Sequence, residues 1–103
     1  MRIVRAADYT GDRAWDADHI ASIDGATIRL HWTDEPYVWH VNDGDEVFVV
    51  LDGAFDMHVR DATGQHVHRL EIGDVFYADA GTEHVAHPVG PSRVLVVERA
   101  GSA

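Results

Sequence analysis

Apolar and polar residues alternate with a period of two along much of this chain. From Ala26 to Trp32, Ile28, Leu30 and Trp32 fall on one side while Thr27, Arg29 and His31 fall on the other. That is the pattern of a strand whose successive side chains point to opposite faces. From Ala54 to Arg60, Phe55, Met57 and Val59 oppose Asp56, His58 and Arg60, and the apolar set is expected to face the core. Tyr37 to Val41 begins another strand, and Glu46, Phe48 and Val50 share one face of the segment that follows it. His66 to Ile72 reads as a strand of mixed pattern, and Val75 to Ala78 as a short one. Arg93 to Glu98 carries apolar residues on both faces, as a strand covered on both sides does.

Turn chemistry separates these runs. Asp24-Gly25, Asp52-Gly53 and Gly73-Asp74 are turn signals, and Gly64 is the expected positive-φ residue of a loop over 61–65. Ahead of the strands, residues 8–25 show neither a helical period nor clean alternation. Ile3 and Val4 are expected to add a first short strand, His19 and the residues after it another, and Trp15 is the expected anchor of this arm. Eight to ten short strands with no helix predict an all-β fold, a sandwich or barrel. A length of 103 residues bounds it to one domain, with an N-terminal arm over 1–25 and the barrel over 26–100.

Composition removes several classes of chemistry. The chain has no cysteine, so disulfides, thiolate nucleophiles and zinc-thiolate sites are excluded. Its formal charge is −10 and all 8 basic residues are arginine. Such a surface repels a phosphate backbone, so no nucleic-acid partner is expected. No run approaches the roughly 18 apolar residues of a membrane span. The start, MRIVRAADYTGDR, lacks the apolar centre of a secretion signal, which makes a cytoplasmic location the expectation. There is also no Gly-rich phosphate loop, Gly-x-Ser-x-Gly elbow or His-Glu-x-x-His helix.

The stretch WHVNDGDEVFVVLDG, from Trp39 to Gly53, holds more polar chemistry than a plain hairpin needs. Val38, His40 and Asn42 share one face, so an imidazole, an amide and the Glu46 carboxylate would converge near the turn. Val38, Phe48 and Val50 would form the apolar wall beside them. A second stretch, GDVFYADAGTEHVAHP from Gly73 to Pro88, delivers His84 to the start of another strand. His40, Glu46 and His84 make the two-histidine, one-carboxylate set that leaves coordination positions open on a divalent metal, with Asn42 as a candidate fourth ligand.

The two stretches together resemble the two motifs of the cupin superfamily. The first, His-x-His, three or four residues, Glu, six residues, Gly, corresponds to His40, Asn42, Glu46 and Gly53. The second, Gly, five residues, Pro-x-Gly, two residues, His, three residues, Asn, corresponds to Gly73, Asp79, Gly81, His84 and Pro88. Spacing is kept, while Asn42, Asp79 and Pro88 depart from the family's residues. The resemblance spans roughly 26–98. It implies a double-stranded β-helix, or jelly-roll, barrel holding iron, manganese, nickel or zinc, and a homodimer in which the N-terminal arm meets a second subunit. It also implies a small-molecule enzyme of dioxygenase, isomerase or lyase type, or else a binding or sensor protein whose metal is structural or absent.

Asn42 has two readings, a weak neutral ligand or the residue that closes the Asn42-Asp43-Gly44 turn. Asp79 is expected to start the turn before His84. Trp39 and Tyr77 read as packing residues. His31, His58, His66, His68 and His87 lie off the motif, with His58 and His87 expected at a surface or interface; one of the five is a candidate acid-base group near the barrel mouth. An additional carboxylate or histidine beside the metal, inside a deep pocket, would favour an enzyme. A closed site with every position filled by protein would favour a sensor.

Overall fold

The alternating segments fold into nine strands in a computed structural model, which describes residues 1–101. In chain order they are β1 (Asp16–Ile23), β2 (Ala26–Thr33), β3 (His40–Val41), β4 (Glu46–Asp52), β5 (Ala54–Asp61), β6 (Gly64–Glu71), β7 (Val75–Ala78), β8 (Glu83–Pro88) and β9 (Ser92–Arg99). They form a five-stranded sheet ordered β1-β2-β9-β4-β7 and a four-stranded sheet ordered β3-β8-β5-β6. All pairings are antiparallel. The two sheets enclose a core of Phe48, Val50, Phe55, Met57, Leu70, Ala86, Val94 and Val96, against which Trp15, Val59 and Phe76 pack. This is the all-β, two-sheet barrel that the pattern predicts, in the jelly-roll form that the resemblance implies, with the apolar face of β5 inward as predicted.

One turn shows how the sequence closes the barrel. Gly53 takes φ 75° between β4 and β5, and a Cβ there would lie 2.2 Å from Ser92 Oγ. Ser92, fully buried, uses that same oxygen to bond the backbone of Ala54. Only a residue without a side chain lets the β4–β5 turn sit on the start of β9.

The N-terminal region departs from expectation. Ile3 and Val4 form no strand; the arm instead makes one 3-10 turn at Ala6–Asp8. It lies across the outer face of the five-stranded sheet, where Arg2 pairs with Asp18 and Arg93 bonds the Tyr9 carbonyl (2.7 Å) and Thr10. Backbone groups this far from a strand partner are satisfied locally or by water. The strand around His19 is longer than foreseen, β1 running eight residues along β2.

Placing the arm outside changes the reading of β2. Leu30, on the arm's side, is buried to 1%, so β2 is apolar on its outward face and presents Thr27, Arg29, His31 and Thr33 inward. β3 is also shorter than the segment from Tyr37 to Val41, and Val38, expected in the inner wall, is 64% exposed. With only His40 and Val41 in register with β8, the period-two argument does not reach Val38.

Candidate metal centre

Both imidazoles come from the four-stranded sheet. His40 in β3 and His84 in β8 are directly opposed, their ring centroids 4.3 Å apart. Each ring is aimed by its own backbone. His40 Nδ1 donates to the Val38 carbonyl (2.9 Å), and His84 Nδ1 donates to the Thr82 carbonyl (2.9 Å). These bonds fix a proton on each Nδ1, which leaves a lone pair on His40 Nε2 and directs His84 Nε2 at Glu46, where it would act as a ligand once its proton is displaced. Asp79 starts the turn before His84 as expected, its carbonyl and side chain receiving Thr82 N–H and Oγ–H.

The carboxylate arrives from the other sheet. Glu46 begins β4 with Phe48 and Val50 inward behind it, and that alternation carries it to 6% exposure. Its Oε1 lies 3.1 Å from His84 Nε2, and its Oε2 accepts from Asn42 Nδ2 at 3.0 Å. One ligand atom each from His40, Glu46 and His84 lies within 4.8 Å of the others.

Asn42 is 2% exposed, yet its amide neither lines the cavity nor closes the turn through a side-chain bond. Its N–H holds Glu46, while Oδ1 has no partner among the described residues. Its backbone carbonyl accepts from Gly81 N–H (3.1 Å), and Asp45 accepts from Ala80 N–H (3.0 Å). These two bonds join the turn after β3 to the turn before β8.

Electrostatics couple the groups. Burial alone would raise the Glu46 pKa, but the bonds from His84 and Asn42 outweigh it and hold the carboxyl below its ordinary range. Burial likewise opposes the charged form of His84, and its bonds to Glu46 and Thr82 outweigh that and raise it. Two imidazole nitrogens and a carboxylate oxygen are the donors a divalent ion of N/O preference needs. Their 4.8 Å span is within a few tenths of an ångström of the about 4.4 Å between opposite ligands at about 2.2 Å from one ion. The residues present therefore fit a divalent metal.

The three groups open into a cavity of about 210 Å³ between the sheets. Its wall also includes Phe48, Met57, Ala86 and Val96, together with Trp15, Arg29, His31, Tyr37 and Glu98. Trp15 anchors the region as foreseen: its indole N–H donates to the Glu35 carbonyl (2.9 Å) and its ring meets Tyr37 and Phe55.

Among the off-motif histidines, His31 reaches the cavity. Its Nδ1 donates to the Trp15 carbonyl (3.1 Å), and burial lowers its pKa, keeping the ring neutral. His58 and His87 stack 4.1 Å apart on the outward face of the four-stranded sheet, and His66 and His68 are exposed. Tyr77 is 57% exposed rather than packed, whereas Trp39 is half-buried under the Arg60 guanidinium.

Sequence reasoning missed Glu98. It stands opposite Glu46 across β4 and β9, and desolvation, then the Glu46 charge and hydrogen bond, raise its pKa to about 7. The signal was present, because Glu98 has the same parity as the inward Val94 and Val96.

The Cupin_2 family, described as a cupin domain, matches residues 25–98. Among solved structures, a cupin-2 domain protein from Shewanella frigidimarina is similar at 24% identity, over 86% of this chain and 84% of that one, with a TM-score of 0.77. KdgF from a Halomonas species is similar at 23% identity, over 81% and 77%, with a TM-score of 0.71. Hydroquinone 1,2-dioxygenase from Sphingomonas sp. TTNP3 is similar at 20% identity, over 86% of this chain but 28% of that one, with a TM-score of 0.77. These likenesses establish the fold. Among curated proteins none matches the chain.

Proposed function

This chain belongs to the cupin family, and we propose that it is a metal-dependent enzyme acting on a small organic molecule inside the barrel, with His40, Glu46 and His84 as the metal ligands. Asn42 positions Glu46 instead of filling a fourth coordination place, which keeps room for substrate. A bound divalent ion would polarise a substrate oxygen.

The observation that carries the catalytic reading is the pair His31 and Glu98 in the wall of the same cavity. His31, kept neutral by burial with Nδ1–H committed to Trp15, offers Nε2 as a proton acceptor. Glu98, with its pKa raised to about 7, holds a proton that an ordinary glutamate has lost. A neutral imidazole and a protonated carboxyl in one cavity supply a base and an acid. Phe48, Met57, Ala86 and Val96 limit the water around them. A ligand-storage protein has no need of that pair.

Elemental analysis of untagged protein tests the metal step. Wild type is expected to carry a transition metal that folded His40→Ala and His84→Ala lose. Equal metal in all three would remove the basis of the catalytic reading.

A further inference from the structure

Arg29 is the unexplained group of the cavity. It projects from β2 into a wall otherwise made of ligands, acids and apolar side chains. Arg2, Arg13, Arg60, Arg69, Arg93 and Arg99 each pair with a carboxylate. Arg29 makes no ion pair and no side-chain hydrogen bond among the described residues, although Glu98 and Glu46 line the same space. Those two acids are engaged with one another across β4 and β9, and Glu46 also with His84 and Asn42. A half-buried guanidinium has five N–H donors in a planar fork, and leaving them without acceptors is costly. Its shape matches a carboxylate.

Charge points the same way. Arg29 puts a fixed positive charge in the cavity wall, although the chain as a whole is at −10. A cavity of about 210 Å³ has room for roughly seven waters. That admits a small acid and excludes a nucleotide or long chain.

We propose that the substrate is a small carboxylic acid whose carboxylate is received by Arg29 while its far end lies toward His40, Glu46 and His84. The proposal rests on the metal reading for that far end, and on Arg29 alone for the carboxylate. A phosphate ester would also suit a guanidinium, but its second charge would face two acids.

The test is calorimetric titration of untagged protein, both EDTA-treated and manganese(II)-loaded, with lactate and pyruvate, and with lactamide and inorganic phosphate as contrasts. Lactate or pyruvate is expected to bind and lactamide not to. Arg29→Gln is expected to weaken the acids by about tenfold or more, the low end for a charge-assisted bond, with manganese affinity unchanged. Arg29→Lys, which keeps the charge without the fork, falls between them and guards against loss of fold in the first variant. Acid affinity unaffected by either substitution overturns the proposal, as does Arg29-dependent binding of phosphate alone or the absence of acid binding in both forms. If manganese fails to bind but the EDTA-treated protein still takes lactate through Arg29, the metal reading falls and the carboxylate site stands.

Discussion

Replacing Glu98 with Gln makes the metal-free protein more stable above neutrality. Glu98 is half-buried opposite Glu46, and its pKa is raised from 4.5 to about 7, first by desolvation and then by the Glu46 charge. Between those two pH values the native state keeps a proton that the unfolded chain has released. The folded form then binds more protons, so stability falls as pH rises through this window. The interval from 4.5 to about 7, at about 1.4 kcal/mol per pH unit, amounts to about 3 kcal/mol. Water reaching a half-buried group reduces this to about 2 kcal/mol. Glutamine keeps the shape, cannot ionise, and offers Glu46 an N–H donor.

Urea unfolding of EDTA-treated wild type and Glu98→Gln measures the difference. The two curves should nearly coincide at about pH 4 and separate by about 2 kcal/mol at about pH 8, with equal m-values. Two other groups titrate nearby, and their signs differ. Glu46, whose pKa is lowered, contributes stability present above 4.5 that is lost as pH falls through its native value. His84, whose pKa is raised, contributes stability present below 6.5 that is lost as pH rises through its native value. Both groups remain in the variant, and because Glu98 also acts on their pKa values, the difference between the curves reports Glu98 together with its coupling to them. Parallel curves across the whole range would refute the buried acid pair.

Two further outcomes follow from the geometry. Gly53→Ala should destabilise by about 2–6 kcal/mol, from a positive φ worth about 1–3 and a collision with Ser92 Oγ worth about 1–3. Gly25→Ala, at φ 82° with nothing within 4 Å, meets only the first cost, and equal urea midpoints for the two variants would exclude the collision. We propose a homodimer formed through the open edge of β1 and the exposed Ile3 (69%) and Ile23 (58%). Light scattering should give twice 11.4 kDa, and the monomer mass at micromolar protein would refute it.

Local features made the strands and the triad legible. β7 has the bounds its pattern predicts, and Gly53, Gly64 and Gly73 all take positive φ. Glu46 could be placed inward because Phe48 and Val50 follow it on the same parity. What the pattern could not show is which face of an amphipathic strand meets the interior when both are covered. In β2 the arm lies over the apolar face, and the polar face looks into the cavity. Arg29 and His31 were therefore hidden by a tertiary contact made some twenty residues upstream. Glu98 was hidden differently: its valine neighbours marked β9 as apolar on both faces and masked one acid of inward parity.

The distribution of the site between the sheets has a consequence for how it assembles. His40 and His84 belong to the four-stranded sheet; Glu46, Arg29, His31 and Glu98 belong to the five-stranded one. Neither sheet contains the site alone, so the groups meet only when Phe48, Val94 and Val96 of one sheet pack on Phe55, Met57 and Ala86 of the other. An ion held by both sheets binds the packed state and not the separated one, and it stabilises that state by mass action. The polar groups of the candidate site thus also join the two halves of the barrel at the end where the interior is a cavity. The apolar core joins them where it is filled.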